Sequence, residues 1–375
     1  MKNKLNQLRT WIEIDARAAK KNYDTFRKLV GKKVMLWSVI KSNAYGHGLY
    51  AFSKIADEFG IDGFCVDSIV EGLSLRKAGI KKPILILGST LPQRFDEAAK
   101  NKITITISNF EALCALARGK HPPDFHLKID TGMHRQGFYV EDIPKVIAAL
   151  QKGKKNIKGI FTHFASAKDI NFPTYSDEQL KNFKKAIALF EKAGFKNLVK
   201  HASATGGALI DQKHHFDAVR IGIGLFGLWP SKELEVQLGD KIKLEPVLSW
   251  HAVVSEVKKM KKGDYVGYNM AERLPRDMAV AIVPIGYWHG LPWSLSGSGE
   301  VLIKGRRARI LGRVSMDMIA IALSAPAKPG DIITLIGRDG RAVITAEELA
   351  AKAGSTFNYE LLTRLNPLME RVIIR

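Results

Sequence analysis

"VMLWSVIKSNAYGHG", residues 34–48, runs from an apolar, β-rich stretch into a lysine, followed by an asparagine, a tyrosine, a histidine and two glycines. The first seven residues suit a buried strand, and the asparagine and glycines behind Lys41 are turn formers. A lysine carried out of a core must be desolvated or paired, unless its stem snorkels to water. A partly desolvated lysine amine has a lowered pKa and can act as a nucleophile or base. Lys41 is therefore expected at the carboxyl end of a strand, with a snorkelling side chain and a working amine as the two readings.

The same rhythm spreads outward from this segment. Strands are expected at 34–40, 63–67, 83–88, 103–107, 125–130, 159–164, 198–203 and 218–223, separated by stretches of helical period. Helices are expected over 69–80 and 176–195, the second opening at Ser176 and closing at Lys192 and Gly194. Strands alternating with helices predict an α/β fold with an amino-terminal (β/α)8 barrel over residues 1–235, a doubly wound open sheet being the alternative. A barrel carries its chemistry at the carboxyl ends of its strands. Lys41, Asp130, His163, Ser203 and Arg220 all fall there. After about residue 235 the runs become short, strand-like and broken by Gly, Pro and Asp, with helical period only at 345–354. That predicts a mostly β carboxyl-terminal domain over 236–375.

Composition narrows the class. Of 375 residues, 46% are hydrophobic and 25% charged, ordinary for a globular protein, and no apolar run is long enough for a membrane helix. The net charge of +21 comes from basic residues scattered in short clusters such as 258–264 and 304–313, without aromatic interleaving or zinc-finger spacing. Solvated basic faces are expected, not a specific nucleic-acid site, and no metal. Only Cys65 and Cys114 are present, so no disulfide framework is expected. The basic amino-terminal stretch, residues 1–15, lacks a secretory apolar region, which together with the cysteine usage reads as cytoplasmic.

A lysine amine commonly forms a Schiff base with a carbonyl substrate or with pyridoxal phosphate. The stretches "ASATGG" (202–207) and "RIGIG" (220–224) supply backbone N–H groups, small residues and a hydroxyl after the last two expected strands. That is the usual phosphate position of a barrel. With Lys41 they suggest a phosphorylated aldehyde cofactor.

The ordered motifs "VIKSNAYGHG" (39–48), "KIDTGMHRQG" (128–137), "GIFTHFASA" (159–167), "VRIGIGLFG" (219–227), "VGYN" (266–269), "PIGYWHG" (284–290), "GRVSMDM" (312–318) and "NYE" (358–360) resemble those of alanine racemases, as does the opening "TWIEIDARAAKKNY" (10–23). The resemblance spans nearly the whole chain. It implies a homodimer with shared active sites, pyridoxal 5'-phosphate as cofactor, and interconversion of L- and D-alanine that supplies D-alanine for the cell wall.

By that resemblance Lys41 would carry the cofactor and act as one catalytic base, with Tyr268, given across the dimer interface, as the other. Tyr265 does not fit the motif. A free tyrosine titrates near about 10, so a basic environment is needed, and the residues matching His163 and Arg220 would provide it. Arg220 would stand at the cofactor's ring nitrogen, where most pyridoxal enzymes have an acid. Tyr45, Tyr359, Thr205, Gly222 and Ile223 would hold the phosphate. Arg135 would reach the cofactor's phenolic oxygen and the substrate carboxylate, and Met316 would offer that carboxylate a backbone N–H from the partner, with Asp317 shaping the entrance. Lys128 matches a position carbamylated in many relatives, an unmodified lysine paired with an acid being the alternative. Two departures stand out: Ala204 where asparagine is common, and Trp288 and His289 where the family has small and acidic residues. A racemase of the same fold acting on serine or lysine, or a non-catalytic pyridoxal-phosphate binder, are the rival readings.

Overall fold

The structure, a computed structural model, describes residues 7–119, 121–153, 157–355 and 357–375, so the first six residues of the basic amino-terminal stretch lie outside it. The chain forms two compact units. One comprises Arg17–Ser42 and Phe52–Pro246; the other comprises residues through Ala16, Asn43–Ala51 and Val247–Arg375.

In the first unit, parallel strands Met35–Val39, Gly63–Val66, Ile84–Ser89, Thr104–Ile107, Phe125–Asp130, Gly159–Phe161, Val199–His201 and Ala218–Ile221 form one sheet. It closes, because Ala218–Ile221 pairs with the first strand in the register Ala218 to Met35, which removes the open-sheet alternative. Each strand falls on one of the eight expected runs, Ile84–Ser89 ending one residue past its own. Gly63–Val66 and Phe125–Asp130 are buried at every residue, as strands covered on both faces must be. The helix Ile69–Lys77 begins where Ser68 accepts the N–H of Glu71. The helix expected to open at Ser176 instead starts at Thr174. Ser176 is buried in the helix's first turn and donates its hydroxyl to the Ser166 carbonyl at 3.2 Å, so it does not cap.

In the second unit, strand Thr10–Asp15 pairs antiparallel with Leu248–Val253 and parallel with Glu370–Ile374. Sequence reading did not mark this strand. The remaining strands are antiparallel neighbours around buried residues that include Val266, Leu274, Val280 and Leu311. Thr345 caps the helix Ala346–Lys352, within the expected 345–354.

Behind the first barrel strand the backbone does something the sequence does not announce. Ser42, Asn43, Ala44 and Tyr45 all have φ between 52 and 55°, one turn of left-handed helix built without glycine. Such residues cost about 1–2 kcal/mol each. The turn is held by its neighbours in the second unit. The Asn43 side chain accepts the Leu49 N–H at 2.8 Å, and His47 Nδ1 lies 3.1 Å from the carbonyls of both Ala44 and Tyr45. The Arg371 guanidinium donates twice to the Gly46 carbonyl, at 3.0 and 3.2 Å. Gly46 itself is required: at φ 85° a Cβ there would fall 1.9 Å from the Leu362 carbonyl oxygen.

Candidate active site

Within the barrel unit the site is built around Arg220, which is 2% exposed. One terminal nitrogen donates to His201 Nδ1 at 2.5 Å. The other donates to the carbonyls of Thr162 and Ala202, each at 2.8 Å, and faces His163 Nδ1 at 3.3 Å. Every one of these acceptors is neutral or a carbonyl, and among the described residues Arg220 enters no ion pair. Burial lowers it to about 10, which leaves it protonated at neutral pH. None of these hydrogen bonds uses its Nε–H.

Phe161 lies between two cations. Lys128 Nζ is 4.6 Å from its ring centre and the Arg220 guanidinium carbon 5.2 Å. Lys128 is 5% exposed, and none of the ion pairs among the described residues includes it. Among the described residues no salt bridge closes on it, although the charge of nearby Asp130 favours its protonated form. Burial, then Arg220 and Arg135, push its amine well below the ordinary lysine range. His163 is held well below the usual histidine range by burial first, and then by Lys128, Arg220, Arg135 and Lys41 together. Those four basic side chains thus share one neighbourhood with His163, and Lys41, His163 and Arg220 are among the strand-end residues expected to converge.

Lys41 is placed differently from the others. Its side chain is 38% exposed and its amine lies 3.5 Å from Asp67 Oδ1, so it is neither sealed from water nor unpaired. The desolvation expected of it is only partial. Two other strand-end candidates are structural. Asp130 accepts backbone N–H groups of Gly132, His134 and Arg135 at 3.0, 3.0 and 3.2 Å, shaping the loop that presents exposed Arg135. The Ser203 hydroxyl donates to the His214 carbonyl at 2.7 Å.

Thr205 ties the two glycine-containing loops together, its hydroxyl oxygen accepting the N–H of Gly222 at 3.2 Å and of Gly224 at 3.4 Å. A Cβ at Gly206 would stand 2.0 Å from the Ala167 carbonyl oxygen, so that loop admits no side chain. Ala204 precedes the short helix Thr205–Ile210 and gives its first N–H groups no side-chain cap.

In the β unit, the rings of Tyr45 and Tyr359 meet at 5.9 Å, and burial and Tyr45 raise the Tyr359 hydroxyl above its ordinary value. Tyr268 is 70% exposed on a tight turn in which Asn269 has φ 60°. Tyr265, the tyrosine outside the motif, lies under Arg273 at 5.7 Å. The loop 284–290 is zipped to the loop carrying Met316 by Tyr287 N–H to Ser315 O and Trp288 N–H to Met316 O, both 3.0 Å. Met316 is 55% exposed. Of the two departures in this loop, Trp288 is exposed, whereas His289 is buried and accepts the Gly286 N–H on Nδ1 at 3.2 Å.

Sequence profiles for the alanine racemase N-terminal domain and C-terminal domain match residues 14–230 and 247–373. The chain belongs to the alanine racemase family. It is 37% identical over 373 residues to the alanine racemase of Leptospira interrogans serovar Lai, covering 97% of this chain and 96% of that one. It is 37% identical over 369 residues to alanine racemase 1 of Bacillus subtilis, with 97% and 93% covered. Alanine racemase from Bacillus anthracis, solved with bound L-Ala-P, superposes with a TM-score of 0.92 at 34% identity, covering 98% of this chain and 95% of that one. The chain is thus an isomerase of the racemase class, with the barrel and β domain of its relatives.

Sequence reading missed three neighbours of the candidate site residues: Asp67 beside Lys41, His201 behind Arg220, and His126 behind His201. The two histidines carry a weak signal, since a polar residue inside an otherwise apolar barrel strand needs a buried partner.

Proposed function

We propose that the chain interconverts L- and D-alanine with pyridoxal 5'-phosphate, using Lys41 and Tyr268 as its two bases. The observation that carries this reading is Arg220: a fully buried guanidinium facing no acid, with cations and neutral histidines around it. The residues present fit the cofactor. Lys41 offers an accessible amine for its aldehyde, and Arg220 has an Nε–H to spare for its ring nitrogen. The Thr205 hydroxyl and the Ile223 N–H would donate to its phosphate on the loop that Gly222 shapes through its bond to Thr205, and by the family resemblance the hydroxyls of Tyr45 and Tyr359 would join them. When bound, the cofactor would acidify the α-proton of an amino acid attached to it.

The chain's own groups then divide the work. Arg220, a permanent cation, would discourage a proton on the ring nitrogen it faces, so that less charge builds up there and side reactions are suppressed. Arg135, presented by the loop that Asp130 shapes, would orient the substrate carboxylate, with the Met316 N–H of a second copy. Lys41 would hold or return the α-proton on one face and Tyr268 on the other, the roles exchanging with substrate hand. His163, kept neutral, would accept a hydrogen bond between Tyr268 and Arg220. A buried Lys128 amine held well below the ordinary lysine range is a nucleophile suited to carbamylation, and the added negative charge would orient Arg135. A homodimer with shared sites is supported by the exposure of Tyr268 and Met316. No helix among the described residues is long and apolar enough to cross a membrane, and we place the reaction in the cytoplasm, supplying D-alanine to the cell wall.

The test is the visible absorbance of the purified protein, followed by loss of optical rotation with L-alanine. A yellow protein that racemises alanine, and loses both properties on Lys41→Ala, supports the reading. A yellow protein inert to alanine but active on serine or lysine moves the substrate and keeps the cofactor. A colourless protein that takes up no added pyridoxal phosphate overturns it.

A further inference from the structure

Arg220 does not end the buried polar chain. His201 Nε2 lies 2.9 Å from His126 Nδ1, so the sequence of contacts runs from the guanidinium through His201 to His126. An arginine can only donate. His201 Nδ1 must therefore accept, and a neutral imidazole that accepts on one nitrogen carries its proton on the other. That proton sits on Nε2 and points at His126 Nδ1, which must in turn be bare, leaving the His126 proton on Nε2. One tautomer of each ring satisfies both contacts, and an imidazolium at His201 would set N–H against N–H. Burial first, with Arg220 next, disfavours the charged form of both rings, holding His126 at about 3 and His201 well below its ordinary value.

The rings have little freedom to turn. His201 stacks on Phe161 with ring centres 4.7 Å apart and planes 5° from parallel, and meets the edge of Trp37 at 5.0 Å. His126 also packs on Trp37, at 5.9 Å. Opposite it in the barrel register is Gly159. A Cβ on Gly159 would fall 2.6 Å from His126 Cε1 and Nδ1, so the glycine leaves the space that the imidazole fills. Both histidines stand on barrel strands, the rigid part of the fold.

We propose that His126 is a positioning residue for Arg220: its Nδ1 locks His201 in the Nε2–H tautomer, which leaves a lone pair to fix the guanidinium. The assignment of Arg220 to the cofactor ring rests on the function proposed above; the tautomer lock does not.

The test separates the two. Side-chain 15N spectra of histidine-labelled full-length protein report each tautomer with or without cofactor or turnover. Expected are Nε2–H forms at both His201 and His126, unchanged across the pH range in which the protein stays folded. His126→Leu keeps bulk but removes the acceptor, and should release His201 into a mixture of tautomers. His126→Asn offers an oxygen near the lost Nδ1 and should restore the single form. In the cofactor-loaded enzyme His126→Leu should lower kcat about tenfold with KM nearly unchanged and speed the slow loss of cofactor to side reaction, and Asn should recover most of both. An Nδ1–H form at His201 in the unsubstituted protein overturns the proposal, even if neither variant folds. So does a His201 tautomer that His126→Leu leaves unchanged. A correct tautomer pattern in a protein that fails to racemise alanine would count against the proposed function alone.

Discussion

Arg220 and Tyr268 make an instructive pair. Arg220 is 2% exposed and spends its terminal nitrogens on four acceptors of its own unit, whereas Tyr268 is 70% exposed on a turn of the other unit. The barrel half of the candidate site is finished by contacts inside one chain. In the β unit Tyr268 and Met316 are displayed outward, as the proposed shared site would require. Internal completion makes a residue costly to change for folding; outward display makes it costly only for activity.

That contrast can be broken experimentally, beginning with the largest effect. On the proposed function Lys41→Ala would remove both the attachment and one base, and should cost about 10⁴-fold or more in kcat, read by loss of optical rotation. Tyr268→Phe should cost about 10²–10⁴-fold, while its melting temperature stays near that of the parent. Mixing those two inactive proteins after partial unfolding should regain activity, since a hybrid dimer would hold one site with both bases. No recovery would contradict a shared site.

Arg220→Gln should lose activity and stability together. Buried acceptors left without a donor cost about 1–3 kcal/mol, which urea unfolding would read; an unchanged midpoint would erase the difference from Tyr268. Acid supplies a related test. His47 and His126, both buried, are depressed from 6.5 to about 3. Their unfolded forms bind protons first, so the stability they contribute is full above pH 6.5 and is lost as pH falls toward 3. Each adds about 1.4 kcal/mol per pH unit across that window, so unfolding midpoints should fall steeply below 6.5. A flat profile would mean the two rings are more open than the fold shows. The smallest effect belongs to a site outside the contrast: Thr345→Ala removes a helix cap and should cost about 1 kcal/mol without touching kcat.

The barrel was legible because each of its strands is a compact apolar run between turn signals, and the polar residues at their ends could be named before any coordinates. Strand Thr10–Asp15 was not, since its partners are residues 248–253 and 370–374 and nothing local marks them. His201 and His126 stayed hidden for a similar reason: their meaning lies in each other, across strands 75 residues apart. The left-handed turn from Ser42 to Tyr45 defied reading because local preference argues against it, and packing from elsewhere overrules that preference. Ser176 misled because a serine can spend its hydroxyl on a distant carbonyl as readily as on its own helix.

The Arg371 contact sets an order in time. It reaches the carbonyl of Gly46 across 325 residues of chain. A ribosome could deliver every barrel strand and the barrel could close while the left-handed turn behind Lys41 still lacked the guanidinium that holds it. The turn is finished only when the final strand arrives. A chain cut short before Arg371 would leave the turn to its local contacts from Asn43 and His47 alone, so the segment behind Lys41 gains its last support only as synthesis ends.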